Sequence, residues 1–132
     1  MIKLNNVENE CEIRKKVVGT AISVNEFTDK FQNIHPKELP ECDVLEMDCE
    51  GGELEIVKGI EISPRVIIME VHPKLNPNAP EAIDELINKG YDIVKRRTNE
   101  GESLTSAQFE KILEDTSVPS PVVVAVKSTA NN

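Results

Sequence analysis

Four side chains that can transfer protons or bind a cation are predicted to meet at one edge of a β-sheet. Asp48 and Glu50 lie at the end of the strand-like run DVLEMD, and Glu70 and His72 lie at the end of RVIIMEV. Sites in open α/β sheets lie outside the carboxyl ends of the strands. If the two strands are neighbours, three carboxylates and one imidazole share a crevice. Such a group suits general acid/base chemistry or a hard divalent cation.

The carboxylates belong to a very acidic stretch of the chain. From Glu41 to Glu55 there are seven carboxylates and no basic residue. Like charges this close together raise the pKa of at least one carboxylate, unless a cation or the charged form of His72 compensates. A cation, a basic partner or solvent must therefore face this stretch, and the sequence leaves the three alternatives open.

Structural explanations of the same residues stay open at this stage. Glu50 and Glu53 precede or begin a predicted helix, where carboxylates satisfy free N–H groups and the helix dipole. The pair Gly51–Gly52 is also what a tight turn with positive φ requires. His72 precedes a proline and can be an ordinary strand-end residue. Only the joint placement of these residues at two strand ends favours a functional site.

Strands and helices alternate along the chain, which predicts an α/β fold with a mostly parallel sheet and helices packed on it. A capping-box pattern at Ser23–Glu26 predicts a helix that carries Phe27 and Phe31, and the proline-rich HPKLNPNAP is a loop. The predicted strands are 17–24, 43–48, 65–71, 91–97 and 121–127, and the other predicted helices are 53–60, 80–89 and 105–115.

Composition excludes several functional classes. The net charge of −9 would repel a polyanion, and an aromatic content of 3% offers few stacking surfaces for nucleic acid. No apolar run approaches the roughly 20 residues of a membrane span. Cys11, Cys42 and Cys49 are in no metal-ligand spacing, which favours free thiols in a reducing compartment. We expect a cytoplasmic protein that binds neither nucleic acid nor membrane.

The central region resembles the FkbM family of S-adenosylmethionine-dependent methyltransferases. The stretch DVLEMDCEGGELEIVKGI followed by PRVIIMEVHP is similar to that family's D-x-E-G-[AG]-E pattern, a helix ending in L-K-G, and a strand ending in E-x-H. TAISVNEF and NKGYDIVKR are similar to flanking family segments, so that the resemblance covers about residues 17–97. The matching positions are Asp43, Asp48, Glu50, Gly51, Gly52, Glu53, Lys58, Gly59, Glu70 and His72.

The resemblance implies a partial Rossmann-like methyltransferase fold and methyl transfer from S-adenosylmethionine, usually to an oxygen. For such a reaction, the convergence at the two strand ends makes Asp48, Glu50 and His72 the expected residues that activate or orient the acceptor hydroxyl. Glu70 is expected to hold His72, and Glu53 to cap the helix.

Two departures from the family pattern qualify this expectation. No glycine-rich cofactor loop precedes Asp43, and the roughly 40 residues before it are too few for three strand–helix units. The family's lysine before D-x-E-G is Glu46 here. The chain therefore looks like the C-terminal half of the domain, with the cofactor-binding part missing.

A halved sheet would leave the strand at 43–48 with an open edge, which favours a homo-oligomer or a partner chain that covers it. We expect a polar arm at 1–16, the α/β domain at 17–127 and a polar tail at 128–132. Two other functions remain open: a non-catalytic interaction module that dimerises or docks through this edge, and an acidic site for a divalent metal built from Asp48, Glu50, Glu70 and His72.

Overall fold

A computed structural model describes residues 9–19 and 32–129. It contains a four-stranded sheet with three helices, and a separate two-stranded sheet. The described strands are β1 (Lys16–Val18), β2 (Gln32–Ile34), β3 (Val44–Met47), β4 (Val66–Glu70), β5 (Tyr91–Arg97) and β6 (Val122–Lys127). The helices are α1 (Glu53–Gly59), α2 (Glu81–Asn88) and α3 (Ser106–Glu114), and Pro36–Glu38 forms a short 3-10 helix.

The predicted elements of residues 43–127 are present, with ends that coincide or differ by one residue. Helix α3 begins where the sequence predicts, because Thr105 and Gln108 form a reciprocal capping box with backbone and side-chain hydrogen bonds. The strand predicted at 17–24 is described only up to Gly19, and the helix that carries Phe27 and Phe31 lies outside the described residues. Strand β2 was not predicted.

The main sheet is mixed, so the prediction of a mostly parallel sheet is wrong. Its order is β3-β4-β6-β5, with β3 and β4 parallel and β6 antiparallel to both of its neighbours. The reason lies in the connection after β5, which begins and ends at the same end of the sheet. Leu104 donates its N–H to the carbonyl of Arg96, and Val122 then pairs with Arg97. Helix α3 therefore does not return the chain to the start of β5, as a parallel crossover would.

The hydrophobic core lies between one face of the sheet and the three helices. Side chains alternate along a strand, and most residues that point to the helices are buried. The strands contribute Met47, Ile67, Met69, Val71, Val123 and Ala125, and the helices contribute Ile56, Val57, Ala82, Leu86 and Phe109. The opposite face stays partly open: Val44 and Glu46 are exposed, and Ile68 and Val124 are only half-buried.

Strand pairing and the core position the segments after β3 and β4, which carry the polar residues of the predicted site. Pairing of Val44 to Met47 with Val66 to Met69 aligns the carboxyl ends of β3 and β4. The core residue Val71 also donates its N–H to the carbonyl of Pro121 at 2.9 Å, which fixes the chain just before His72. None of the helices in the described part of the chain is long and apolar enough to cross a membrane.

Candidate functional site

The carboxyl ends of β3 and β4 bring the four predicted residues together around the imidazole of His72. Its Nε2 atom lies 3.3 Å from Oδ1 of Asp48 and 3.8 Å from Oε1 of Glu70. Ligand atoms of Asp48, Glu50 and His72 all lie within 4.8 Å of one another. The neighbouring parallel strands thus produce the convergence that was expected from the sequence.

The cluster has a buried side and an exposed side. The side chain of His72 is 8% exposed, whereas that of Asp48 is 63% exposed. Glu50 is exposed, and Glu70 is intermediate. Asp48 and Glu50 therefore form the solvent side of the cluster, and His72 lies on its buried side.

The other ring nitrogen of His72 is held by Glu53, which the sequence assigned to helix capping. Nδ1 of His72 lies 2.6 Å from Oε1 of Glu53, and the Glu53 side chain is fully buried. The same oxygen accepts the N–H of Gly51 at 3.1 Å, so it acts as a hydrogen-bond acceptor. With Nδ1 as the donor, the lone pair of the neutral ring is on Nε2.

The expectation that Glu53 caps the helix is corrected. Glu53 is the first residue of α1, whose N-cap position is Gly52 without a side-chain cap, so Glu53 does not cap the helix. Glu53 makes the shorter contact with His72, at 2.6 Å from Nδ1, while Glu70 lies 3.8 Å from Nε2. The sequence signal for this role was an acidic residue at the first buried position of an apolar helix, directly after the glycine turn.

Backbone geometry fixes the turn between β3 and α1. Glu50 and Gly51 both have positive φ, at 50° and 98°, and a left-handed conformation is uncommon for a residue other than glycine. Asn76 donates from Nδ2 to the carbonyl of Gly51 at 2.8 Å and thereby joins the turn to the loop after His72. Sequence reasoning had treated Asn76 only as part of a proline-rich loop.

Electrostatics at the site follow from the crowding of carboxylates. Burial raises the pKa of Glu70, and the nearby Asp48 raises it further, while His72 acts in the opposite direction. Burial also raises the pKa of the Cys49 thiol to about 11, with further contributions from Glu53 and Asp48. Both shifts have the sign expected for a buried group that faces negative charge.

The family comparison covers this site. The model of the FkbM methyltransferase domain matches residues 8–93, which include β1 to α2 and every residue of the cluster. The chain belongs to the FkbM methyltransferase domain family. No curated protein and no solved structure matches the chain.

FkbM methyltransferases generally use S-adenosylmethionine. A glycine-rich turn holds such a ligand with free backbone N–H groups. At the turn after β3, Gly51 donates its N–H to Glu53, and Gly52 donates its N–H to the carbonyl of Cys49 at 3.0 Å. The turn is therefore closed on itself, and the N–H groups of Gly51 and Gly52 are already used within it.

Proposed function

We propose that this FkbM-family chain supplies the acceptor-activating part of an S-adenosylmethionine-dependent O-methyltransferase. The observation that carries the proposal is the contact of His72 with Glu53 at 2.6 Å, next to the exposed carboxylate of Asp48. A buried carboxylate that holds one ring nitrogen leaves the other as a base, which is the arrangement of carboxylate–histidine pairs that activate a hydroxyl.

Each residue has a defined task in this proposal. The acceptor hydroxyl approaches from the exposed side, and His72 Nε2 removes its proton as the oxygen becomes a nucleophile. Glu53 holds the ring in the required tautomer and stabilises the imidazolium that forms. Asp48 and Glu50 orient the acceptor by accepting hydrogen bonds from it.

The cofactor is held by another polypeptide in this proposal, and activity then depends on that partner. The closed turn at Gly51 and Gly52 supports this part. Calorimetric titration of the chain with S-adenosylhomocysteine tests it: we expect no binding by the chain alone. Binding with a Kd of about 1 μM or tighter, which corresponds to about −8 kcal/mol, would show instead that the chain carries its own cofactor site.

The catalytic assignment is tested by methyl transfer to a panel of hydroxylated acceptors in the presence of a cell extract that supplies the partner. We expect His72→Gln to lower the rate by about two to four orders of magnitude, the usual contribution of a general base. Asp43→Asn is the matched control, because Asp43 is exposed just before β3, away from the ring. Undiminished transfer by His72→Gln contradicts the role of His72.

A divalent metal site is the second candidate function, and the 4.8 Å convergence of Asp48, Glu50 and His72 favours it. Histidine ligands of metals usually give their second ring nitrogen to a carboxylate, as His72 does to Glu53. Calorimetry with Mn²⁺ and Zn²⁺ tests this candidate. Binding that Asp48→Ala abolishes and Glu41→Ala preserves supports it, and absence of binding by the unaltered chain rules it out.

A further inference from the structure

The outer edge of β3 is open among the described residues. Strand β3 pairs only with β4, and Val66 donates its N–H to the carbonyl of Asp43 at 3.1 Å. In a parallel pair, successive residues direct their backbone groups to opposite sides. The N–H and C=O groups of Val44 and Glu46 therefore point away from β4, towards the open edge.

A groove lies along this edge. Strand β1 forms its far wall, and the groove encloses a cavity of about 420 Å³, within the range of roughly 300–1,000 Å³ that is common for ligand sites. Among the described residues, Lys16 is the one cationic residue that lines it, alongside the acidic Glu46. The rest of the lining is mainly apolar: Val17, Val18, Leu39, Leu45, Met47, Cys49 and Ile56.

The two sides of the open edge differ in chemistry. On the groove side, Leu45 and Met47 project from β3, and Ile56 of α1 lies behind them. On the other side, Glu46 and Asp48 are both exposed. A strand that pairs with this edge must therefore place apolar side chains on one of its faces and face carboxylates with the other.

Charge decides which occupant fits. A second copy of this chain, paired through the same edge, would bring its own Asp43, Glu46 and Asp48 towards the same residues, and like charges on paired strands are destabilising. The net charge of −9 on each chain adds to this repulsion. Lysine or arginine on the incoming strand would instead pair with Glu46 and Asp48.

From this we infer that the open edge of β3 binds an extended segment of another protein, in which apolar residues alternate with lysine or arginine. The segment adds to the sheet as a strand parallel or antiparallel to β3, with hydrogen bonds to the backbone of Val44 and Glu46. Its apolar side chains enter the groove between β1 and β3. This mode of recognition takes its affinity from main-chain pairing and its selectivity from the alternating side chains. The inference concerns binding and does not require methyl transfer.

The test uses two soluble peptides, one that alternates valine with lysine and one that alternates valine with glutamate. Binding to the whole chain is measured by calorimetry, and amide hydrogen exchange of Val44 and Glu46 is followed by NMR. We expect the lysine peptide to bind, to slow exchange at both amides, and to weaken as salt is raised. The glutamate peptide should not bind.

Charge reversal at the edge makes the test specific. Glu46→Lys should weaken the lysine peptide about tenfold or more and allow the glutamate peptide to bind. Glu100→Lys is the matched control, since Glu100 is an exposed residue in the turn after β5 and changes the net charge equally. It should leave both affinities close to those of the unaltered chain.

Three outcomes overturn the inference. The first is that the lysine peptide does not bind, and the second is that it binds with equal affinity to the Glu46→Lys and Glu100→Lys variants. The third is that the amides of Val44 and Glu46 are already protected in the chain alone. Sedimentation then separates two causes of that protection: a dimer means that a second copy occupies the edge, and a monomer means that residues of the same chain occupy it.

Discussion

Oε1 of Glu53 lies 2.6 Å from Nδ1 of His72, and both side chains are buried, although 19 residues separate them along the chain. This contact joins the first residue of α1 to the end of β4. It also connects to the turn before α1, because the same oxygen accepts the N–H of Gly51. The orientation of the imidazole is therefore set by the packing of a helix against a strand.

Replacement of Glu53 by glutamine should destabilise the protein because a neutral amide oxygen is a weaker acceptor for the N–H of Gly51 and Nδ1 of His72. The amide also places an NH2 donor at the position of Oε2, which is buried without a partner. We expect Glu53→Gln to lower the free energy of unfolding by about 1–3 kcal/mol, measured by urea denaturation. Glu81→Gln is the matched control, since Glu81 is also the first residue of a helix but is exposed. Equal effects of the two substitutions would mean that Glu53 acts only on the helix dipole.

Glu70 should make stability depend on pH. Burial and the neighbouring Asp48 raise its pKa in the folded protein, so the folded state binds the proton more tightly than the unfolded state does. This contribution to stability is fully present below the unfolded pKa and is lost as the pH rises through the folded pKa.

Glu70→Gln should therefore be more stable than the unaltered chain at neutral pH, by about 0.2–1 kcal/mol, and the difference should vanish at acidic pH. Urea denaturation at a series of pH values measures it. Glu61→Gln, at an exposed position between α1 and β4, serves as the control. If Glu70→Gln is less stable than the unaltered chain at neutral pH, the pKa of Glu70 is lowered in the folded protein instead.

Gly51 is expected to tolerate alanine less well than Gly101. Both have positive φ, at 98° and 94°, so each substitution should cost about 1 kcal/mol of backbone strain. A Cβ at Gly51 would also lie 3.2 Å from the Cβ atoms of Leu75 and Asn76, whereas Gly101 has open space around it.

We therefore expect Gly51→Ala to cost about 1–3 kcal/mol more than Gly101→Ala, as measured by thermal or urea denaturation. The additional loss of stability in Gly51→Ala measures the steric crowding between the turn and the loop after His72. If the two variants are equally stable, the loop after His72 can move away from residue 51 without a loss of folding free energy. Asn76 then does not fix the turn.

The three cysteines should differ in their rates of alkylation, because the thiolate is the reactive form. Burial raises the pKa of Cys49 to about 11, so that roughly one molecule in a thousand carries this thiolate at pH 8. Burial also raises the pKa of Cys42, whereas Cys11 is exposed. Mass spectrometry after timed iodoacetamide labelling should show Cys11 modified first and Cys49 last, with the order lost in urea. Early labelling of Cys49 in the folded protein contradicts the burial of its thiol.

Local patterns explain why much of the fold and site was predictable. Strand β4 has apolar residues with an ionisable pair at its end, and Thr105 and Gln108 form the capping box that their spacing predicts. Strand direction is not encoded in such patterns. The residues of β6 are apolar on both faces, as in a buried parallel strand. However, the segment between Arg97 and Val122 stays at one end of the sheet, so β6 runs antiparallel to β5.

The role of Glu53 was missed for a related reason. Its place at a helix start has a sufficient local explanation, and only the three-dimensional approach of β4 to α1 reveals its contact with His72. Sequence spacing placed Asp48, Glu50, Glu70 and His72 at adjacent strand ends without showing which carboxylate would hold the ring.

The central position of β6 has a consequence for biosynthesis. Strands β4 and β5 leave the ribosome before β6, but among the described strands β5 pairs with β6 alone. The nascent chain must therefore carry β4 and β5 with unpaired edges until residues 122–127 emerge, and such exposed strands are prone to aggregate. The nascent chain should depend on chaperones most strongly just before β6 is translated. On a ribosome stalled at that point, β5 should not yet be joined to β3 and β4, because β6 is the strand that lies between them.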